Sequence, residues 1–224
     1  GGTRAGMTAI IFDLDGTLVD SAAAIRDIVT AFLVERGLPA LTLEEARAYI
    51  GHGSPYFLTQ ALKARDAFDP ATFDEDYARL QYFYGTAPGE ANVPFPDVGE
   101  VLATLHAGGA RLAVCTNKPA VPTQVVLDAH GWSSLFGAVI AGDTLDKKKP
   151  DPEPLLEAAR RLGGAPAIYV GDSDVDATAA AAAGLPFFLF TEGYRKAEVA
   201  DLPHAVAFSE FRALPGLIAG FTRA

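Results

Sequence analysis

Residues 9–21 read AIIFDLDGTLVDS and decide the fold of this 224-residue chain. Residues 9–14 form a mainly apolar run that ends abruptly in acidic residues and glycine, a pattern typical of a buried parallel strand. Ser21 then stands at the expected N-cap of a helix that runs to Arg36, with apolar residues at the spacing of one helical face. The stretch therefore predicts a strand, a polar turn and a helix in immediate succession.

Three more helices are expected directly after the first. Residues 42–45 have the spacing of a capping box, Ser-Pro at 54–55 opens a third helix, and Asp-Pro at 69–70 opens a fourth. No strand pattern interrupts residues 20–85, so this block is predicted to be all-helical. A stripe on the fourth helix is expected to form part of its core, and its members are Phe73, Tyr77, Leu80 and Tyr84.

Beyond a linker at residues 86–96 that is rich in proline and glycine, helix and strand patterns alternate to residue 190. The expected helices cover residues 97–107, 121–130, 154–162 and 174–183, and the expected strands cover residues 111–116, 138–141, 167–170 and 187–190. This alternation predicts an α/β fold, a doubly wound Rossmann-like parallel sheet core with an inserted all-helical cap.

The predicted boundaries follow from these patterns. Residues 7–19 and 91–224 form the α/β catalytic core, and residues 20–90 form the helical cap. Residues 1–6, GGTRAG, precede Met7 and have no apolar stretch, so they are interpreted as a cloning remnant.

Composition narrows the classes of function. The chain has 28 acidic against 18 basic residues and a net charge of -10, which disfavours binding to nucleic acid or anionic membranes. Cys115 is the single cysteine, so no intramolecular disulfide forms and a reducing, cytoplasmic location is expected. No apolar run approaches the roughly 20 residues that span a bilayer.

Polar side chains follow the predicted strands at the edge where parallel sheets bind their ligands. The residues after the strands are Asp13, Asp15, Gly16, Thr17, Thr116, Asn117, Lys118, Gly171, Asp172 and Asp176, and the segment before the helix expected at residues 154–162 adds Lys149. Carboxylates beside a lysine and a hydroxyl predict a site for Mg²⁺ and phosphate. Within D-x-D-G-T, Gly16 permits a tight turn and Thr17 is expected to hydrogen-bond the preceding carboxylate.

Four segments in order resemble the motifs of the haloacid dehalogenase superfamily of phosphatases: FDLDGTLVDS, CTNKP, KKKPDPEP and YVGDSDVD. The helical insertion is similar to that superfamily's alpha-helical cap. Among its members, YIGHG, AGDTLDKKKPDPEPLL and TEGY are most similar to enzymes that act on 2-phosphoglycolate. The resemblance covers the chain after residue 6. It implies a phosphomonoester hydrolase whose partner is a small phosphorylated metabolite, and which is a monomer or a homodimer.

The resemblance also implies roles for individual residues. Asp13 is the expected nucleophile that forms an aspartyl-phosphate, and Asp15 the acid that protonates the leaving group and then the base that activates water. Lys149, Thr116 and the amides near Asn117 are expected to bind the phosphoryl oxygens.

The implied cofactor is Mg²⁺, held by Asp13, the Asp15 carbonyl and Asp172, with Thr17 and Asp176 orienting these ligands. Gly171 is expected to admit the metal close to the backbone. From the cap, the residues expected near the substrate are Gly51, His52 and Gly53. The cations considered for a substrate carboxylate are Arg47, Lys118 and Arg195. Cys115 is expected to be a buried small side chain and not a nucleophile.

Several alternatives stay open at this point. The substrate is 2-phosphoglycolate or another small metabolite such as a phosphosugar or pyrophosphate, and a phosphosugar mutase shares all four motifs. Asp15, Gly16 and Asp172 argue against a dehalogenase. A receiver-type signalling module, which also phosphorylates an aspartate, needs neither D-x-D nor a helical insertion. Because the chain is acidic, a site without its metal is expected to repel phosphate.

Overall fold

The computed structural model describes residues 8–224, so the predicted remnant at residues 1–6 lies outside the described residues. The strands are β1 Ala9–Phe12, β2 Val19–Asp20, β3 Val93–Pro94, β4 Arg111–Cys115, β5 Phe136–Ile140, β6 Ala167–Gly171, β7 Phe187–Phe190 and β8 Val206–Phe208. The helices are α1 Ala22–Glu35, α2 Leu43–Tyr49, α3 Ser54–Lys63, α4 Phe73–Thr86, α5 Val98–Ala107, α6 Ala120–Ala129, α7 Glu153–Arg161, α8 Asp174–Ala183 and α9 Leu214–Arg223.

Six strands form one sheet in the order β5-β4-β1-β6-β7-β8, and every neighbouring pair is parallel. Its two faces are covered by separate apolar clusters, one around Phe12 and Phe188 and the other around Ile11 and Tyr169. This confirms the predicted doubly wound α/β fold. Because β1 lies between β4 and β6, the residues that follow these three strands meet at one edge.

Helices α1 to α4 lie between β2 and β3 and have an apolar cluster of their own. Leu80 and Tyr84 of the predicted stripe are buried in it, and Phe73 and Tyr77 pack against it partly exposed. The short strands β2 and β3 pair antiparallel at the base of this helical segment. The sequence did not predict this pair because two residues are too few to show a period of two.

The sequence predicted a helix end correctly where a side chain hydrogen-bonds to the backbone of its own segment. The capping box forms as predicted, with Glu45 N donating to Thr42 Oγ1 over 3.0 Å and Thr42 N to Glu45 Oε1 over 3.1 Å. Ser21 precedes α1 as expected, yet its buried hydroxyl makes no cap hydrogen bond. The fourth helix begins at Phe73 and not at residues 69–70, because Asp69 forms a separate turn, in which its Oδ1 accepts from the Ala71 amide over 2.9 Å and its carbonyl from the Thr72 amide over 3.2 Å.

Elements near the chain end were not predicted. Strand β8 has three residues and one buried side chain, Phe208, so it shows little of the pattern that marks a strand. Helix α9 follows it and packs Leu214 and Ile218 into the core. Within residues 8–224, no helix combines the length and hydropathy needed to cross a bilayer.

Candidate active site

Three carboxylates converge at the edge of the sheet. Asp13 follows β1, Asp172 follows β6, and Asp176 lies in the first turn of α8. One oxygen from each lies within 4.8 Å of the other two, and all three side chains are buried. Parallel packing of β1 against β6 creates this cluster, because their ends lie side by side in register.

Asp172 is held by two donors from distant segments. Its Oδ1 accepts from the Thr17 hydroxyl over 2.9 Å, and its Oδ2 accepts from the Tyr194 amide over 2.8 Å. The expected partner of Thr17 was therefore wrong, because the turn after β1 points this hydroxyl across to the neighbouring strand. Gly16 adopts φ +84°, and a Cβ at this position would overlap the Asp172 carboxylate.

Asp176 uses both carboxylate oxygens on protein donors. Oδ2 accepts from the amides of Asp172 and Ser173 over 3.1 and 3.2 Å, and Oδ1 accepts from Lys149 Nζ over 2.7 Å. A Cβ at Gly171 would run into this carboxylate. Close approach of Asp176 is thus one reason for glycine at that position, and the approach of a metal there stays a prediction.

Lys149 is the buried cation of the cluster. Its Nζ lies 3.2 Å from Asp13 Oδ1 and donates to the Tyr169 hydroxyl over 2.6 Å as well as to Asp176. The Tyr169 hydroxyl also lies 3.2 Å from the Cys115 carbonyl and 2.7 Å from Asp176 Oδ1. Sequence reasoning missed Tyr169; its only signal was a polar hydroxyl within the apolar strand β6.

The pKa shifts show an excess of negative charge in a buried place. Burial, assisted by the charge of Asp176, raises the pKa of Asp13 well above its usual value and that of Asp172 to about 7. Burial also disfavours the charged forms of Asp176 and Lys149. The charge of Lys149 outweighs it at Asp176, whose pKa is lowered, and the charges of Asp13 and Asp176 outweigh it at Lys149, whose pKa is raised. One lysine therefore does not balance three carboxylates.

A divalent cation matches this imbalance. Carboxylate and carbonyl oxygens are the ligands that Mg²⁺ prefers, and it keeps several waters and substrate oxygens in its shell. Asp13 and Asp172 offer oxygens at short separation, and each oxygen of Asp172 accepts from a single protein donor, whereas each oxygen of Asp176 accepts from at least two. The donor set fits a hard divalent metal held by Asp13 and Asp172 and oriented by Asp176.

A pocket of about 430 Å³, including its open mouth, lies over Asp13 between the sheet edge and the helical segment. The sheet edge contributes Asp13, Asp15, Thr116, Asn117 and Lys118. The helical segment contributes Ile25, Ile50, Gly51, Gly53, Ser54, Phe57 and Tyr84. Asp15 forms an ion pair here, since Lys118 Nζ lies 3.2 Å from its Oδ1 and 3.4 Å from its Oδ2.

Asn117 joins the helical segment to the sheet edge. Its Nδ2 donates to the carbonyls of Gly51 and Lys149 over 2.9 Å each, and its Oδ1 accepts from the Lys149 amide over 3.0 Å. The side chain of Asn117 is thus engaged in positioning. Its neighbour Thr116 lines the pocket, and the Thr116 Oγ1 accepts from the Lys118 amide over 3.1 Å.

His52 lies in an adjoining groove, together with Asp174, Tyr194 and Lys196. Its ring packs 4.5 Å from that of Tyr56, and burial lowers its pKa. His52 is not among the described residues that line the pocket over Asp13, whereas Gly51 and Gly53 are. A role of His52 at the substrate stays a prediction.

The remaining predicted residues are Cys115 and the three cations considered for a substrate carboxylate. Cys115 is buried, as predicted, and burial raises the pKa of its thiol to about 12, which disfavours the thiolate that a nucleophile needs. Arg47 is exposed, and Arg195 donates to the carbonyls of Thr191 and Ala197. Of the three cations considered for a carboxylate, Lys118 lines the pocket.

A model of the haloacid dehalogenase-like hydrolase family matches residues 7–184. The chain belongs to this family. This haloacid dehalogenase-like hydrolase is 43% identical over 216 residues to the phosphoglycolate phosphatase of Rhodobacter capsulatus, covering 96% of this chain and 98% of that protein. It is 40% identical over 190 residues to the phosphoglycolate phosphatase of Xanthomonas campestris pv. campestris strain 8004, with 84% of each covered.

Among solved structures, the hydrolase is similar to a predicted phosphoglycolate phosphatase from Haemophilus somnus 129pt. The TM-score is 0.89 at 28% identity, and the match covers 96% of this chain and 100% of that one. The enzyme is a phosphoric monoester hydrolase of this family. This result excludes the receiver-type signalling module that the sequence had left open.

Proposed function

We propose that this hydrolase is a Mg²⁺-dependent phosphatase that acts on 2-phosphoglycolate through an aspartyl-phosphate at Asp13. The observation that carries the proposal is the position of Asp13, which faces a small pocket while Lys149 lies 3.2 Å from its carboxylate. Two relatives that are 40% and 43% identical are named for this substrate, and this supports the choice of metabolite.

In the first step, a carboxylate oxygen of Asp13 attacks the phosphorus of the substrate. The bond from phosphorus to the glycolate oxygen breaks, and Asp15 gives its proton to that oxygen as glycolate leaves. Asp15 lines the same pocket as Asp13, two residues along the turn, so one bound ester can contact both carboxyl groups. The phosphoryl group is then held on Asp13 as a mixed anhydride.

In the second step, Asp15 takes a proton from a water molecule, and this water attacks the phosphorus. The bond to Asp13 breaks, inorganic phosphate leaves, and Asp15 is again protonated. The two steps therefore regenerate both carboxyl groups in their starting forms.

Several groups stabilise the charge of the transferring phosphoryl group. Lys149, whose Nζ lies 3.2 Å from Asp13, and Thr116, which lines the pocket, would bind its oxygens. Asp13, the Asp15 carbonyl and Asp172 would hold Mg²⁺, which supplies charge neutralisation and orientation for phosphoryl transfer. Thr17 contributes by fixing Asp172.

The helical segment is proposed to act as a cap of residues 20–90 over a core of residues 7–19 and 91–224. The hydrogen bond from Asn117 to the Gly51 carbonyl holds the cap loop against the site, and Phe57 and Tyr84 cover it. Closure of this kind excludes water and favours a small substrate. A cytoplasmic location suits a soluble metabolite, and the buried thiol of Cys115 is consistent with it.

A steady-state screen of phosphorylated metabolites with Mg²⁺ tests this proposal. The set contains 2-phosphoglycolate, hexose phosphates, pyrophosphate and nucleotides. We expect 2-phosphoglycolate to be among the best substrates by kcat/KM. If it is not, the substrate assignment fails, and hydrolysis of the other esters shows whether the chemistry stands.

A further inference from the structure

The pocket over Asp13 carries its positive charge on one side. Lys118 is the one cation among the described residues that line this pocket, and it comes from the sheet edge. The helical segment presents mainly apolar side chains there, such as Ile25 and Phe57. A substrate with a second anionic group therefore finds its counter-charge at Lys118, and not in the helical segment.

The position of Lys118 beside Asp15 determines which part of a bound substrate its ammonium group can contact. Its Nζ lies 3.2 and 3.4 Å from the two Asp15 oxygens. If Asp15 protonates the leaving oxygen, that oxygen sits within hydrogen-bond distance of the same carboxyl group. In 2-phosphoglycolate the carboxylate carbon is only two bonds from the leaving oxygen, or about 2.4 Å. A carboxylate at this point falls within reach of Lys118.

Burial makes the contact selective. The side chain of Lys118 is 6% exposed, and its Nζ lies 6.0 Å from the ring centre of Tyr84 on the opposite wall. A cation withdrawn from water binds a carboxylate strongly, and a neutral group in the same place leaves it without that partner.

We infer that Lys118 is the specificity-determining residue that binds the carboxylate of the substrate, adjacent to the carbon that carries the ester oxygen. The inference rests on the proposed function. It extends that function by assigning the non-phosphate end of the substrate to Lys118, one of the three cations that the sequence offered for a carboxylate, and not to the cap loop at residues 51–53. Lys118 then serves both Asp15 and the substrate.

The test compares 2-phosphoglycolate with 2-hydroxyethyl phosphate, in which a neutral CH2OH replaces the carboxylate. In Lys118→Gln, we expect kcat/KM for 2-phosphoglycolate to fall about 10- to 100-fold further than for the neutral ester, the range expected for a lost charged hydrogen bond. Lys118→Arg retains the charge and is expected to keep most of the preference. Lys147→Gln is the matched control, because Lys147 is 66% exposed and pairs only loosely with Asp151 at 3.8 Å.

A second measurement does not need turnover of 2-phosphoglycolate. Glycolate and inorganic phosphate are titrated as inhibitors of 4-nitrophenyl phosphate hydrolysis. In Lys118→Gln, the inhibition constant of glycolate is expected to rise at least tenfold, and that of phosphate is expected to change by less than about threefold. Circular dichroism and Tm establish that each variant is folded.

Equal losses on both esters, with unchanged glycolate inhibition, would overturn the inference and leave Lys118 as a partner of Asp15 alone. Failure of the proposed function has a different signature. In that case the wild-type enzyme hydrolyses other esters and not 2-phosphoglycolate, whereas the glycolate inhibition still reports whether Lys118 binds a carboxylate.

Discussion

The backbone amide of Tyr194 donates to Asp172 Oδ2 over 2.8 Å. The hydroxyl of the same tyrosine donates to Asp20 Oδ1 over 2.5 Å and accepts from the Ala22 amide over 3.0 Å. Asp20 ends the strand that leads into the helical segment, and Ala22 begins α1. One residue therefore links a carboxylate of the three-aspartate cluster to the base of the helical segment.

The substitution Tyr194→Phe separates the contact with Asp172 from the contacts with the helical segment. The variant keeps the amide bond to Asp172 and loses the contacts to Asp20 and Ala22. We expect the free energy of unfolding to fall by about 1–3 kcal/mol and kcat/KM to fall severalfold, while the half-activating Mg²⁺ concentration stays within about twofold. Urea unfolding measures the free energy of unfolding, and titration of the activity with Mg²⁺ measures the half-activating concentration. Tyr82→Phe is the control, since Tyr82 is 55% exposed; a large change in Mg²⁺ activation would argue against this division of roles.

Gly16→Ala tests the space beside the carboxylates. A Cβ here meets the Asp172 side chain, and φ +84° is strained for any residue with a side chain. We expect loss of at least about 100-fold in kcat/KM together with weaker Mg²⁺ binding. Gly85→Ala in α4 is the control, since the Cβ that it adds meets no atom within 4 Å. We expect it to raise the free energy of unfolding by about 0.5 kcal/mol. Full activity of Gly16→Ala contradicts the packing described.

The raised pKa values predict how stability depends on pH. Asp172 has a pKa of about 7 when folded, against about 3.9 in an unfolded chain, so between these values the folded protein binds the extra proton. Stability of the metal-free protein is therefore highest at the low end of this window and falls as pH rises through it. Asp13 acts in the same direction.

Because Mg²⁺ needs the ionised carboxylates, its stabilising effect is expected to grow as pH rises from 5 to 7.5. Thermal unfolding with and without Mg²⁺ measures the difference in Tm at each pH. Asp172→Asn is expected to reduce that difference at every pH. A Mg²⁺ effect that is constant or larger at pH 5 would contradict the assignment of these groups.

A second pH effect has the opposite sign and lies in the helical segment. Hydrogen bonds from Arg65 lower the pKa of Glu45 to about 2, so this pair stabilises the fold above the unfolded value of about 4.5 and stops doing so as pH falls to about 2. In Glu45→Gln, the free energy of unfolding is expected to fall by about 1 kcal/mol at pH 7 and by progressively less below pH 4.5. Glu44→Gln, an exposed neighbour, is the control; equal losses at pH 7 and pH 3 would refute this origin.

Sequence reasoning located much of the site because strand ends are visible as apolar runs that stop at polar residues. In a parallel sheet such ends meet, so Asp13 and Asp172 were placed at one edge without knowledge of distances. Lys149 follows no strand directly, and the resemblance to the family assigned it to the site. The structure brings them together with Asp176.

What sequence reasoning missed depends on contacts between distant segments. Tyr169 resembles an ordinary core residue of a strand, and Tyr194 lies in a late loop that carries no periodic pattern. Thr17 was assigned a nearby partner, because spacing alone does not show how the loop after β1 turns toward Asp172. The domain boundaries and the individual roles in catalysis stay predictions.

The most direct test of the account is to trap the phosphoryl group on the enzyme. Labelled 2-phosphoglycolate is mixed with enzyme and Mg²⁺, the reaction is quenched, and borohydride reduction followed by mass spectrometry locates the acyl phosphate. We expect Asp13 to be reduced to homoserine, and Asp13→Asn to show neither label nor turnover. Turnover by Asp13→Asn, or label on another residue, would contradict it.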